Sequence, residues 1–142
     1  MARTVGYLRM NSLSSAFVME GRARLAMMEE RLLGLERSPF DAELIDALVS
    51  DCQVIRHGAS ARDCVYFEGF LQPVVELLDQ LRLGAIPANS ELAGVLLACC
   101  DHVAVLLDVL ATGMPEPDHQ TTVYGNALIA ILNKKLPHGA YP

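Results

Sequence analysis

Residues 92–111 constrain the fold most. Leu92, Leu96, Cys99, Val103, Leu106 and Leu110, joined by Val95, recur at steps of three and four, the spacing that lines one face of an α-helix. Asp101, His102 and Asp108 interrupt the run, so it lacks the ~20 uninterrupted apolar residues of a membrane span. A soluble helix with so wide an apolar stripe must bury it against other helices.

Partners for that stripe stand on either side. Phe17, Leu25, Met28, Leu32 and Leu35 mark a first helix over about Ser12–Glu36, with residues 1–11 read as a mobile start. Glu20, Arg22, Glu29, Glu30 and Arg31 fall mostly on its other faces, as a solvated surface would. "SPFD" offers Ser38 as a cap and Pro39 as a first helical residue, opening a second helix over about Pro39–Arg62. Leu44, Leu48, Cys52 and Ile55 are its stripe, widened by Ile45 and Val49. A third helix covers about Glu68–Leu83, starting near Leu71 or bending at Pro73, and stops at Gly84. Asn89 or Ser90 caps the fourth, which ends at Gly113. A shorter fifth spans about Thr121–Leu136, with Leu128, Ile131 and Leu132 inward. No period-2 strand pattern of useful length competes. Short loops between striped helices give an all-α chain: an antiparallel four-helix bundle with an additional short C-terminal helix, one domain over residues 1–142.

Composition removes several functions. The net charge is −6, which gives nucleic-acid binding no electrostatic support. The four cysteines, Cys52, Cys64, Cys99 and Cys100, have no C-x-x-C spacing. They read as free, buried thiols of a reducing cytoplasm. Four scattered histidines supply no metal site. No phosphate-binding loop, nucleophile elbow or metal-binding helix appears, so neither a cofactor nor an enzyme activity is expected. The absence of a targeting signal points to the cytoplasm.

Five segments, taken in order, resemble the N-terminal histidine-phosphotransfer (HPt) domain of the chemotaxis kinase CheA. They are "MMEERLLGLE", "DAELIDAL", "VVELLDQLRLGAI", "NSELAGVLLACCDHVAVLLDVL" and "NALIAILNKKL". The resemblance covers about residues 13–136. It implies an HPt-like bundle whose second helix carries the motif His-x-Ile/Leu-Lys-Gly-x-Ala, with the phosphoryl group on the His. Counting from "DAELIDAL" sets that motif on residues 53–59. Ile55 then matches the aliphatic position, Arg56 replaces the Lys, and Gly58 and Ala59 match small residues of a docking face. Gln53 takes the acceptor position and His57 that of the first Gly. Counting back from "LLDQLRLG" would instead put Arg56 under the His. The two counts differ by three residues, an insertion assigned to "ARDCVYFEG". The forward count stays within one helix and is preferred.

The chemistry of this motif is demanding. A phosphoacceptor imidazole needs one exposed nucleophilic nitrogen and a partner that orients the other. An amide nitrogen is not nucleophilic near neutral pH, so Gln53 mimics only the size and hydrogen bonding of an imidazole. The resemblance therefore implies a pseudo-HPt domain that binds a CheY-like receiver or a CheA-type kinase without carrying phosphate. Two alternatives stand beside it. His57, one turn after Gln53 on nearly the same face, could be a displaced acceptor, or the bundle could be an adaptor unrelated to phosphotransfer. Glu76 is a candidate orienting carboxylate, though a solvated helix residue is the simpler reading. His102 reads as a satisfied, semi-buried histidine, and His119 and His138 as solvated loop residues.

Overall fold

The computed structural model describes residues 2–137, with side chains from Ser15 onward. Five helices follow one another: α1 (Ala2–Arg37), α2 (Ala42–Ala61), α3 (Val65–Arg82), α4 (Ser90–Ala111) and α5 (His119–Lys135). No strand occurs among the described residues. α1 packs on α2 and α4, and α2 on α3. α3 also meets α4, and α5 lies against α3 and α4. The expected four-helix bundle with an added C-terminal helix is thus the observed fold.

Boundaries differ from expectation for local reasons. α1 begins at Ala2 rather than near Ser12, so residues 2–11 are part of the helix. Ser38, Pro39, Phe40 and Asp41 form a tight turn closed by Asp41 N–H donating to the Ser38 carbonyl at 3.1 Å. Pro39 supplies its fixed φ to that turn instead of opening the helix. The cap of α2 is therefore Asp41, whose side chain accepts from Leu44 N at 3.1 Å. α3 starts at Val65, earlier than expected, and runs unbroken through Pro73. The carbonyl that loses its partner to Pro73 belongs to Gly69, which is exposed to water. The α2–α3 connection is only Arg62–Cys64, with Asp63 at φ 56°. Within residues 61–69, to which the insertion was assigned, only Arg62–Cys64 lie between helices, and residues 65–69 open α3.

α3 ends in a Schellman motif. Ala85 N–H donates to Gln80 O at 2.9 Å and Gly84 N–H to Leu81 O at 3.0 Å. Gly84 makes the closing turn at φ 76°, where a Cβ would be strained. Asn89 caps α4 by accepting from Leu92 N at 2.9 Å. Asp118 caps α5 by accepting from Thr121 N at 2.8 Å, so His119 opens that helix rather than lying in a loop.

The core combines Phe17, Leu25, Met28, Leu32 and Leu35 of α1 with Leu48, Cys52 and Ile55 of α2. Phe70, Leu71, Leu77 and Leu78 of α3 and the α4 stripe complete it. At its centre, between Leu48, Ile55, Leu71, Leu96 and Cys99, the residual void is about 10 Å³. That is at the lower limit of the ~10–15 Å³ a water needs. Leu128 and Leu132 face inward as expected, but Ile131 is exposed. α5 presses only a narrow strip on the bundle, and Ile131 falls outside it. Among the described residues, α4 is the one helix long and apolar enough to cross a membrane by length and composition. Half of that window is buried inside the bundle.

Candidate functional site

The apolar stripe of α2 fixes what its other residues can do. Leu48, Cys52, Ile55 and Ala59 face the core and are fully buried. Ile55 and Ala59 therefore face the bundle core rather than solvent. They are motif positions that pack the bundle. Gln53, Val54, Arg56 and Gly58 are half-buried, and His57 is exposed.

A polar line crosses from α2 to α3. Arg56 Nε donates to Gln53 Oε1 at 3.0 Å, and Arg56 Nη1 donates to Gln72 Oε1 at 3.0 Å. Gln72 Nε2 in turn donates to Glu76 Oε1 at 3.2 Å. The carboxylate of Glu68 stands 3.7 Å from Arg56 Nη1. The sequence candidates Gln53, Arg56 and Glu76 thus share one network. Gln72, which sequence reading did not single out, is the link between Arg56 and Glu76. Its position one turn before Glu76 on α3 was the available signal. His57 stays outside the network and has no hydrogen-bond partner among the described residues, so nothing there fixes its tautomer.

Small residues bring α1 against this part of α2. A Cβ on Gly58 would lie 2.2 Å from Cε1 of Phe17. The Arg62 guanidinium lies over that ring, 4.8 Å from its centroid, and Arg62 Nη1 donates to Gly58 O at 3.1 Å. A shallow cleft of about 150 Å³ opens beside them, between Ala16, Phe17 and Glu20 of α1 and Val54 and Gly58 of α2.

Asp51 anchors α2 from behind. Its side chain is 1% exposed and meets two α1 arginines, Arg24 Nη1 at 3.3 Å and Arg31 Nη1 more closely. Arg31 is therefore not part of a purely solvated face. Charges buried at a helix interface need such partners.

Elsewhere the titratable groups are structural. His102 is buried rather than semi-buried. Its ring packs on Phe70 at 4.6 Å and Tyr124 at 5.4 Å, and its Nε2 has no hydrogen-bond partner. The sequence reading of a satisfied histidine is thus corrected, since aromatic rings fill its surroundings. Burial lowers its pKa from the usual value. His138 lies outside the described residues. The four cysteines are free and buried. Burial pushes the Cys52 and Cys99 thiols up to about 12 and raises those of Cys64 and Cys100. They are poor nucleophiles in that state. No group of His, Cys, Asp and Glu among the described residues could hold a metal ion.

Four helices in a bundle with a fifth at the side are the architecture that the resemblance to an HPt domain implied. Comparison with known proteins leads to the same place. No family model matches the sequence. The chain is similar to the chemotaxis protein CheA of Treponema pallidum (strain Nichols), 23% identical over 121 residues. It is also similar to the chemotaxis protein CheA of Borreliella burgdorferi, 23% identical over 106 residues. These matches cover 85% and 75% of this chain but only 14% and 12% of the two relatives. Among solved structures it resembles the phosphorylated P1 domain of CheA3 in complex with CheY6 from R. sphaeroides. That likeness has a TM-score of 0.77 at 16% identity and covers 89% of this chain and 99% of the other. The chain has the P1 fold and is similar in sequence to CheA, as the order of its helices implied.

Proposed function

We propose that this chain is a chemotaxis-signalling domain of the CheA HPt type that cannot carry a phosphoryl group at its acceptor position. It docks on a CheY-like receiver, or on a CheA-type kinase, and modulates phosphotransfer between them. The observation that carries this reading is Gln53, at the acceptor position of the forward count, hydrogen-bonded through Arg56 and Gln72 to Glu76. In this reading polar partners surround the acceptor position, while the side chain that stands there is a non-nucleophilic amide. The likeness to a P1 domain solved with CheY6 supports a receiver as partner. In this reading the chain is one cytoplasmic domain that acts by binding, without cofactor or catalysis of its own.

The test is phosphotransfer from a CheA-type kinase and ATP. The parent chain is expected to stay unlabelled, and Gln53→His to accept label that is acid-labile and base-stable. Label on the parent that disappears in His57→Ala would overturn the reading in favour of a displaced acceptor. The exposed His57, with no orienting partner, argues against that outcome. No binding to any receiver or kinase of the source organism would leave an adaptor outside phosphotransfer.

A further inference from the structure

The network around Arg56 also fixes which end of Gln53 faces outward. A guanidinium only donates hydrogen bonds. The contact at 3.0 Å from Arg56 Nε therefore requires the amide oxygen of Gln53 on that side. The NH2 end is left as the free end, and no described residue accepts from it. A phosphoacceptor imidazole would present a lone pair here, but Gln53 presents a donor. Arg56 is pinned in the same way. Its Nε and Nη1 are engaged by Gln53 and Gln72, Nη2 has no described acceptor, and the side chain remains 22% exposed. Two donors without a described acceptor thus belong to the site where the forward count puts a nucleophile.

Building on the docking reading above, we propose that this site selects the phosphorylated form of its receiver partner. Gln53 Nε2 and Arg56 Nη2 would donate to the phosphoryl oxygens carried on the partner's own acceptor side chain. In a complex poised for transfer, one phosphoryl group lies between the two proteins. Gln53 cannot hold it, so the only phosphorylated complex this chain can form has the group on the receiver. With an unmodified receiver, that space lies between the amide and the acceptor without an anion to fill it. Charge-assisted bonds to phosphoryl oxygens are roughly twice as strong as neutral ones. Glu68 and Glu76 share the network, so the preference comes from the two directed donors and not from net charge.

The experiment is calorimetric titration of the full chain with each CheY-like receiver of the source organism. Each receiver is titrated alone and with Mg²⁺ and beryllium fluoride, a stable mimic of an acyl phosphate. The loaded form should bind about tenfold more tightly or better, as one added charge-assisted bond gives. Gln53→Ala and Arg56→Met should each shrink that ratio, the loaded form losing more affinity than the unloaded one. Circular dichroism checks that both variants keep the bundle. Equal binding of the two forms, or tighter binding of the unloaded one, overturns the selectivity and leaves docking intact. A preference that survives both substitutions overturns the assignment to Gln53 and Arg56. Binding of neither form overturns docking on a receiver, and the selectivity with it.

Discussion

The ring of Phe17 occupies the space that a side chain at position 58 would need, with Cε1 only 2.2 Å from where a Cβ would stand. Gly58 is helical, in the last turn of α2, where propensity alone would favour alanine by up to about 1 kcal/mol. The contact decides against it. Phe17 is held between Gly58, the Arg62 guanidinium and Phe67, so its ring cannot move without losing packing. Gly58→Ala should destabilise the protein by about 1–3 kcal/mol, the usual cost of overpacking. Gly69→Ala, with nothing within 4 Å of the added methyl, should stabilise by up to about 1 kcal/mol. Urea unfolding of both variants checks the opposite signs.

Asp51 makes a different test, because its charge is buried while its partners are partly wet. Arg24 and Arg31 keep 35% and 27% of their side chains exposed. Removing both cations strands a carboxylate inside the α1–α2 interface, and Arg24→Met with Arg31→Met should cost about 3–5 kcal/mol. Asp51→Asn should cost less, about 1–2 kcal/mol, since the arginines can turn to water. Adding Asp51→Asn to the double variant should restore stability. Urea midpoints across this cycle measure the coupling, and simple additivity would contradict the account.

Glu116 ties the α4–α5 loop to the start of α3. Its carboxylate accepts from Val65 N at 2.9 Å and Tyr66 N at 3.2 Å. These are orphan donors at a helix N-terminus, and the side chain of the N-cap residue, Cys64, caps neither of them. Glu116→Ala should lower stability by about 1 kcal/mol. It should also raise amide exchange at Val65 and Tyr66 before the rest of α3. Added salt should weaken the parent's advantage, because the contact is exposed.

What the sequence made legible follows from how far each signal reaches. The stripes of α2 and α4 fixed the bundle because a period of 3.6 is written locally, and Gly84 and Gly113 marked helix ends by the same local logic. The cap of α2 was misplaced because Ser38 and Asp41 are both good caps, and only the closed turn between them decides. Gln53 and Arg56 could be placed by counting along one helix. Gln72 could not, since it joins the site from another helix by side-chain reach. Glu116 was less accessible still, acting across 51 residues from a loop. Asp51 stood next to Cys52 in the apolar stripe, a visible anomaly, but its partners looked like ordinary surface arginines.

His102 gives the chain a pH dependence whose direction can be worked out. Its ring is 2% exposed and Nε2 has no acceptor. It is surrounded by Phe70 and Tyr66 of α3 and Tyr124 of α5, with no carboxylate bonded to it. A Cβ on Gly125 would stand 2.5 Å from Nε2 and 1.8 Å from the Tyr66 hydroxyl, so α5 approaches closely here only because that residue is glycine. Burial disfavours the charged imidazole and lowers the folded-state pKa below the ordinary 6.5. The unfolded chain then takes up a proton before the folded one does. Stability from neutral His102 is complete above about pH 6.5 and is lost as pH falls through the lowered folded value. His102→Phe keeps a ring of similar size without the titrating nitrogen. The stability of the parent minus that of the variant should be flat above about pH 6.5 and decline below it. Urea titrations from about pH 4.5 to 7.5 measure this difference, from which the carboxylates common to both proteins cancel. Amide exchange should show α5 loosening first in the parent at low pH, because α5 carries the face that a charged His102 would push away. A difference that stays constant across the range would show that the imidazole is free to ionise within the fold.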